Sequence, residues 1–331
     1  MINKHMSMES RVSSSIRFYD YQPRLADFKA EVLNGLSQTS KQLSPKFFYD
    51  RHGSELFDQI TQLPEYYPTR TEIGILQKYS ERIAELIGRD SLLLELGSGS
   101  SRKIRVLLDA LEPTVYMPMD ISKEHLLGSA EALAADYPAL DVHAACADYS
   151  ADFELPYGPN HLARVVFFPG SSIGNFEPHS ALELLRRMAC HLDVGGRMLI
   201  GVDLKKDAEL LNAAYNDSQQ VTAAFNLNLL SRINRELDAD FDVRAFSHHA
   251  FYNEAEGRVE MHLISDEAQA VTVAGQLFEF AEGESIHTEN SYKYSVEEFL
   301  LLAERAGFVS EQVWIDDDNL FSVHCIRRVQ D

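Results

Sequence analysis

The apolar run Leu92-Leu93-Leu94 ends in Glu95-Leu96-Gly97-Ser98-Gly99, and Asp120 follows 23 positions after Gly97. A continuous apolar run reads as a strand buried in a parallel sheet. Glycines just past its end let a ligand approach the backbone closely. A carboxylate at the tip of the next strand, Met117-Pro118-Met119-Asp120, can accept both hydroxyls of a ribose. These residue types at this spacing predict a nucleoside-containing cofactor at the carboxyl edge of a parallel sheet. The dinucleotide fingerprint needs a third glycine where Arg102 stands, and no G-x-x-x-x-G-K-[ST] occurs. Glu95, ahead of the glycines, instead suits a cofactor that carries positive charge.

A second group of residues offers an acceptor surface. Pro169-Gly170-Ser171-Ser172-Ile173-Gly174-Asn175-Phe176 follows another apolar run, Arg164–Phe168. Its glycines and amide fit a surface that grips a polar substrate, and they fit equally a tight connection capped by Asn175. Upstream, Phe47-Phe48-Tyr49-Asp50 and Leu63-Pro64-Glu65-Tyr66-Tyr67-Pro68-Thr69-Arg70 concentrate aromatic side chains. Such rings commonly cover a core edge. Tyrosines also combine a face for a cation with a hydroxyl for hydrogen bonding.

The elements that must position these residues alternate. Strands are predicted over 92–96, 114–119, 140–144, 164–168 and 197–202, separated by helices over 102–111, 123–136 and 178–192. That alternation is the pattern of a doubly wound parallel sheet. It breaks at about 205. Helices over 205–215 and 219–237 are followed by alternating strands over 246–252, 258–264 and 270–273, a block that looks inserted. The sheet pattern resumes with a capping box at Ser295-Val296-Glu297-Glu298, a helix stopped by Gly307, and a terminal hairpin.

Composition narrows the function. The chain has 331 residues, 45% of them hydrophobic, enough for two structural units. Its 51 acids against 30 bases give a net charge of −21, which repels nucleic acid and anionic membrane surfaces. A small-molecule acceptor fits better. The three cysteines lack any C-x-x-C spacing and read as reduced thiols of a cytoplasmic protein. No H-E-x-x-H occurs among the 12 histidines, and no metal site is expected. Met1 to Ser15 reads as a disordered leader.

Glu95-Leu96-Gly97-Ser98-Gly99 resembles the first motif of S-adenosylmethionine-dependent methyltransferases. More specifically, Phe48-Tyr49-Asp50, Gly53–Asp58, Leu63–Glu72, Gly174-Asn175 and Val221–Asn226 together resemble the histidine-specific N-alpha-methyltransferases of ergothioneine biosynthesis. The resemblance covers about residues 40 to 331. It implies an α/β fold, a Rossmann-like class I methyltransferase sheet with a second, inserted α+β domain. The expected boundaries are 30–70, 90–204 and 292–331 for the methyltransferase domain, and 16–29, 71–89 and 205–291 for the second, substrate-binding domain. The implied activity is trimethylation of the alpha-amino group of L-histidine to hercynine, with S-adenosyl-L-methionine as cofactor, by a cytoplasmic monomer. A related fungal subfamily methylates a tryptophan derivative, which is the alternative acceptor class.

Carried over by position, the resemblance implies that Gly97 and Lys103 line the methionine end of the cofactor. Asp120 holds its ribose, and Asp148 and Tyr149 its adenine. Tyr66, Asn175 and Tyr215, with Gly170 in the same loop as Asn175, hold the amino-acid end of the substrate. Tyr49 stands near the amine and helps a water remove its proton. Glu289 and Ser291 hydrogen-bond the imidazole. The attacking amine must be neutral, and its product is a quaternary ammonium. Neutral side chains therefore suit the amine end, and the one carboxylate, Glu289, suits the imidazole.

Overall fold

A computed structural model of the protein describes residues 8–13, 16–21, 25–99 and 102–329. In chain order the elements are β1 (Met8–Ser13), β2 (Ile16–Asp20), α1 (Leu25–Leu36), β3 (Lys41–Gln42), α2 (Arg51–Ile60), α3 (Tyr67–Ile87), β4 (Ser91–Leu96), α4 (Arg102–Leu111), β5 (Val115–Asp120), α5 (Lys123–Asp136), β6 (Asp141–Cys146), β7 (Ala163–Phe168), α6 (Pro178–His191), β8 (Arg197–Asp203), α7 (Ala208–Tyr215), α8 (Val221–Leu237), β9 (Phe246–Asn253), β10 (Arg258–Ser265), β11 (Gln269–Val273), β12 (Gln276–Phe280), β13 (Ser285–Tyr292), α9 (Val296–Arg305), β14 (Phe308–Ile315) and β15 (Phe321–Arg328). No helix among the described residues is long and apolar enough to cross a membrane.

The chain divides into two compact units, one of residues 1–23, 68–205 and 293–331, the other of residues 24–67 and 206–292. The first is an α/β unit around a nine-stranded sheet in the order β1-β2-β6-β5-β4-β7-β8-β15-β14. Strands β4 to β8 run parallel, and β15 enters antiparallel between β8 and β14. Every residue of β4 is buried, as its apolar run requires. Period-two alternation sends Leu92, Leu94 and Leu96 into one core layer, with α6 and α9. Leu93 enters the layer on the other face, with Ile75, Leu76 and Ile83 of α3 and the apolar stripes of α4 and α5. The strand order reverses at β4, so a crevice opens beyond the carboxyl ends of β4, β5 and β7.

The second unit is α+β. It holds the sheet β3-β13-β10-β9, the hairpin β11–β12 and helices α1, α2, α7 and α8. The Phe48 and Phe225 rings, 4.6 Å apart, join the segment before α2 to α8.

Two expectations change. Residues 8–13 are not a disordered leader: β1 pairs antiparallel with β2, which pairs parallel with β6 and extends the large sheet. Residues 1–7, 14 and 15 lie outside those described. The domain boundaries also move. Residues 16–21 and 71–89 join the sheet unit, because β2 is a strand of that sheet and α3 buries Ile75, Leu76 and Ile83 against it. Residues 30–67 join the smaller unit, where their aromatic side chains pack on α8.

Candidate active site

In the sheet unit the glycine turn after β4 is built as its sequence demands. Gly97 has φ +67° and Gly99 φ +48°, the left-handed region that favours glycine. The N–H groups of Gly97 and Ser98 both donate to the Met119 carbonyl, at 2.8 and 3.2 Å. The Gly99 N–H donates to Asp120 Oδ2 at 3.2 Å, and the Ser122 N–H to Asp120 Oδ1 at 2.9 Å. Each Asp120 oxygen has thus used one acceptor position and keeps another for a ligand hydroxyl. Burial raises the Asp120 pKa, against the pull of those two backbone donors. Beneath the turn, Tyr116 donates its O–H to Glu95, and burial pushes the Glu95 carboxyl up to about 8.

Tyr149 closes the same turn. A Cβ at Gly97 would lie 3.6 Å from the Tyr149 hydroxyl, so the glycine leaves a shallow space there. The Tyr149 ring stands edge-on to Phe168 at 5.6 Å. Burial, then Asp120 and Asp148, hold its phenol above the ordinary range, so it stays protonated. Asp148 accepts from the N–H and the hydroxyl of Ser150. Lys103, in the first turn of α4, pairs with Glu72 at 2.6 Å. Of the sequence-predicted cofactor residues, Asp120 and Tyr149 meet the turn that holds Gly97, Lys103 lies beside Glu72 and Gly170, and Asp148 bonds Ser150.

The loop after β7 follows in the same unit. Gly170 has φ +78° and Ser171 φ +57°. A 3-10 turn spans Ser172–Asn175, closed by Gly174 N–H to Ser171 O at 2.8 Å and Phe176 N–H to Ile173 O at 3.2 Å. The turn therefore closes without the Asn175 side chain, which is half-buried and makes no hydrogen bond among the described residues. Of the two readings open in the sequence, a connection capped by the Asn175 amide does not occur.

In the smaller unit a β-bulge sets the stage. Met261 pairs with Glu289 and His262 with His287, so Thr288 is the extra residue of β13. Paired residues share a sheet face, and consecutive residues do not. Glu289 therefore faces away from His287, although the two are two positions apart in the sequence. It shares its face with Ser291, which pairs with Val259. Tyr215, at the end of α7, donates its hydroxyl to Ser291 Oγ at 2.8 Å and so lies on that face too. Both β13 residues are nearly buried, Glu289 at 8% exposure. Tyr66 stands edge-on to Tyr215 at 6.4 Å and to Phe57 at 6.3 Å. Tyr49 stands edge-on to Phe57 and Phe225, each at 5.7 Å. The four predicted residues Tyr66, Tyr215, Glu289 and Ser291 are thus linked, and Tyr49 joins them through Phe57. The arrangement offers a carboxylate and hydroxyls as acceptors beside aromatic faces.

Sequence reasoning passed over the groups that brace these residues. Thr288 donates its hydroxyl to Asn226 Oδ1 at 2.8 Å and to the Met261 carbonyl at 3.0 Å, and Asn226 is fully buried in α8. Glu72 braces Lys103. Each is a buried polar residue with apolar neighbours on its helix, Asn226 among Phe225, Leu229 and Leu230, Glu72 among Ile75, Leu76 and Ile83. That mismatch was the available signal. The sequence likewise offers no histidine spacing expected of a metal site. The fold brings Glu260, His262 and His287 together on the opposite face of β10 and β13, with donor atoms within 4.8 Å. The His262 and His287 rings are stacked 13° from parallel, so their in-plane lone pairs do not converge. Arg258 and Asn253 already hold Glu260 Oε1.

Comparison with known proteins agrees with this chemistry. A family described as "Histidine-specific methyltransferase, SAM-dependent" matches residues 28–328. Histidine N-alpha-methyltransferase of Mycolicibacterium smegmatis is 44% identical over 88% of this chain and 93% of that protein. Ergothioneine biosynthesis protein 1 of Schizosaccharomyces pombe is 30% identical over 81% of this chain and 36% of that protein. The 4-dimethylallyltryptophan N-methyltransferase of Claviceps purpurea is 28% identical, over 87% of this chain and 91% of that protein. With the glycine turn, Asp120 and the bulged strand in place, the chain belongs to the S-adenosylmethionine-dependent, histidine-specific methyltransferase family.

Proposed function

We propose that the chain methylates the alpha-amino nitrogen of L-histidine three times, giving hercynine, the first step toward ergothioneine. The observation that carries the acceptor is Glu289 on one face of β13 with Ser291 and its Tyr215 partner. An imidazole presents two ring nitrogens to this set, and a buried polar group left without its hydrogen-bond partner disfavours a ring that has only one. An indole-bearing substrate, as the name of the Claviceps relative describes, has no second ring nitrogen to use this set.

The cofactor, when bound, supplies a methyl group already activated on a sulfonium. The protein's task is then placement, since near-attack positioning is worth up to about 7–11 kcal/mol in the best cases. Asp120 takes the ribose hydroxyls on its two remaining acceptor positions. Asp148 and Tyr149 take the adenine, and Gly97 and Lys103 the methionine end. Tyr66, Tyr215, Gly170 and Asn175 hold the zwitterionic end of histidine. Tyr49 orders a water that removes the amine proton, and the tyrosine faces accommodate the cationic product. The three free thiols support a reducing, cytoplasmic setting, and the chain acts as a monomer.

Incubation with isotopically labelled cofactor and a mixture of the common amino acids tests this. Mass spectrometry should find mono-, di- and trimethylated histidine. Methylation of another amine with histidine untouched would overturn the assignment.

A further inference from the structure

Glu72 is a fully buried carboxylate, at 0% exposure, on the face of α3 that enters the core of the sheet unit. A buried charge needs compensation from every side. Lys103 Nζ lies 2.6 Å from Oε2, and the Gly170 N–H donates to both oxygens, at 2.9 and 3.1 Å. The backbone is cleared for this group. A Cβ at Gly201 in β8 would lie 2.0 Å from Glu72 Oε1, and one at Gly170 would lie 3.2 Å from Lys103 Nζ. Four elements therefore meet on one carboxylate: α3, the first turn of α4, the loop after β7, and β8. Lys103 is 17% exposed, and Glu72 is its one ion-pair partner among the described residues. Its ammonium has three donors, and those not used by Glu72 remain for a ligand anion.

We propose that Glu72 is a positioning residue that pins the Lys103 ammonium beside Gly170, so that Lys103 receives the carboxylate of the cofactor's amino-acid end. The inference rests on the reading that Lys103 lines the methionine end. Without the counter-charge, a largely buried lysine loses its fixed position. Through the Gly170 N–H the same carboxylate ties the capture of that end to the loop carrying Asn175.

Calorimetric titration with S-adenosylhomocysteine and with 5′-methylthioadenosine, which lacks the amino-acid end, tests both layers. In Glu72→Gln the preference for S-adenosylhomocysteine should fall about tenfold or more. Affinity for 5′-methylthioadenosine should stay within about twofold of the parent, because a general loosening would weaken both. Lys103→Met should lose the same preference. If Lys103→Met loses it and Glu72→Gln keeps or increases it, Glu72 has no such role and the reading of Lys103 stands. If Lys103→Met keeps it, that reading fails and the inference with it. Glu72→Asp, charged but one methylene short, replaces Glu72→Gln should the latter not fold, and an unchanged preference there counts equally against the proposal. Should neither fold, hydrogen exchange on the unaltered protein decides. S-adenosylhomocysteine must protect the Gly170 amide more than 5′-methylthioadenosine does, and equal protection overturns the proposal.

Discussion

Burial pushes the Glu95 carboxyl up to about 8 from an ordinary 4.5, with the Tyr116 hydroxyl and Lys103 opposing the rise. The sign of its effect on stability follows. Between pH 4.5 and 8 the folded chain holds a proton at Glu95 that the unfolded chain has released. Stability therefore falls as pH rises through that window, and the contribution is level on either side. Glu95→Gln cannot ionise, so its unfolding free energy, measured in urea across the window, should decline less steeply than that of the parent. An identical slope would assign the titration to another group. Glu289 supports a prediction of a different kind. Glu289→Ala removes an acceptor for the imidazole N–H and opens space that a bulkier indole can use, so kcat/KM for histidine should fall about tenfold or more and that for tryptophan less. If the two amino acids are tested side by side and lose equally, Glu289 does not read the ring. Asp120 and the glycines were legible because a strand tip and a turn leave few residue types that work there. Glu72 was harder to read, because a charge on a helix is ordinarily solvated and its place on an apolar stripe was the one sign that this one is buried.

At the level of elements, legibility followed the strength of periodicity. β4, β5, β7 and β8 are buried on both faces and announce themselves as apolar runs. β13 does not: Ser285–Tyr292 is mostly polar, and its bulge breaks the alternation that would have marked it. β2 carries little pattern because it is a single strand of 5 residues. The bulge itself is testable. Thr288→Val keeps the shape but leaves the buried Asn226 Oδ1 and the Met261 carbonyl without that donor. A stability loss of about 1–3 kcal/mol is expected. Because the bulge sets the face of Glu289, the KM for histidine should rise while affinity for S-adenosylhomocysteine holds. A stability loss with unchanged KM would separate the bulge from recognition. The capping box at Ser295 was fully legible, and both of its reciprocal hydrogen bonds form. Ser295→Ala should lower stability by about 1 kcal/mol in the same denaturation assay.

At the scale of the whole molecule the governing quantity is the net charge of −21. A field of that sign attracts cations over several ångströms and is screened by salt, with a Debye length of about 10 Å at 0.1 M. The methyl donor carries a net positive charge through its sulfonium, whereas the demethylated product S-adenosylhomocysteine carries none. Short-range contacts at Asp120, Tyr149 and the glycine turn reach parts common to both, so they cannot distinguish the two by salt. The long-range field can. Raising sodium chloride from about 20 mM to about 500 mM should weaken binding of the donor several-fold and leave the product within about twofold. The field then favours exchange of spent product for fresh donor, a step that three successive transfers require repeatedly. Calorimetry with both ligands at the two salt concentrations measures it. Equal salt dependence would mean that the acidic residues act on solubility alone and leave discrimination between donor and product to the residues that touch the sulfur.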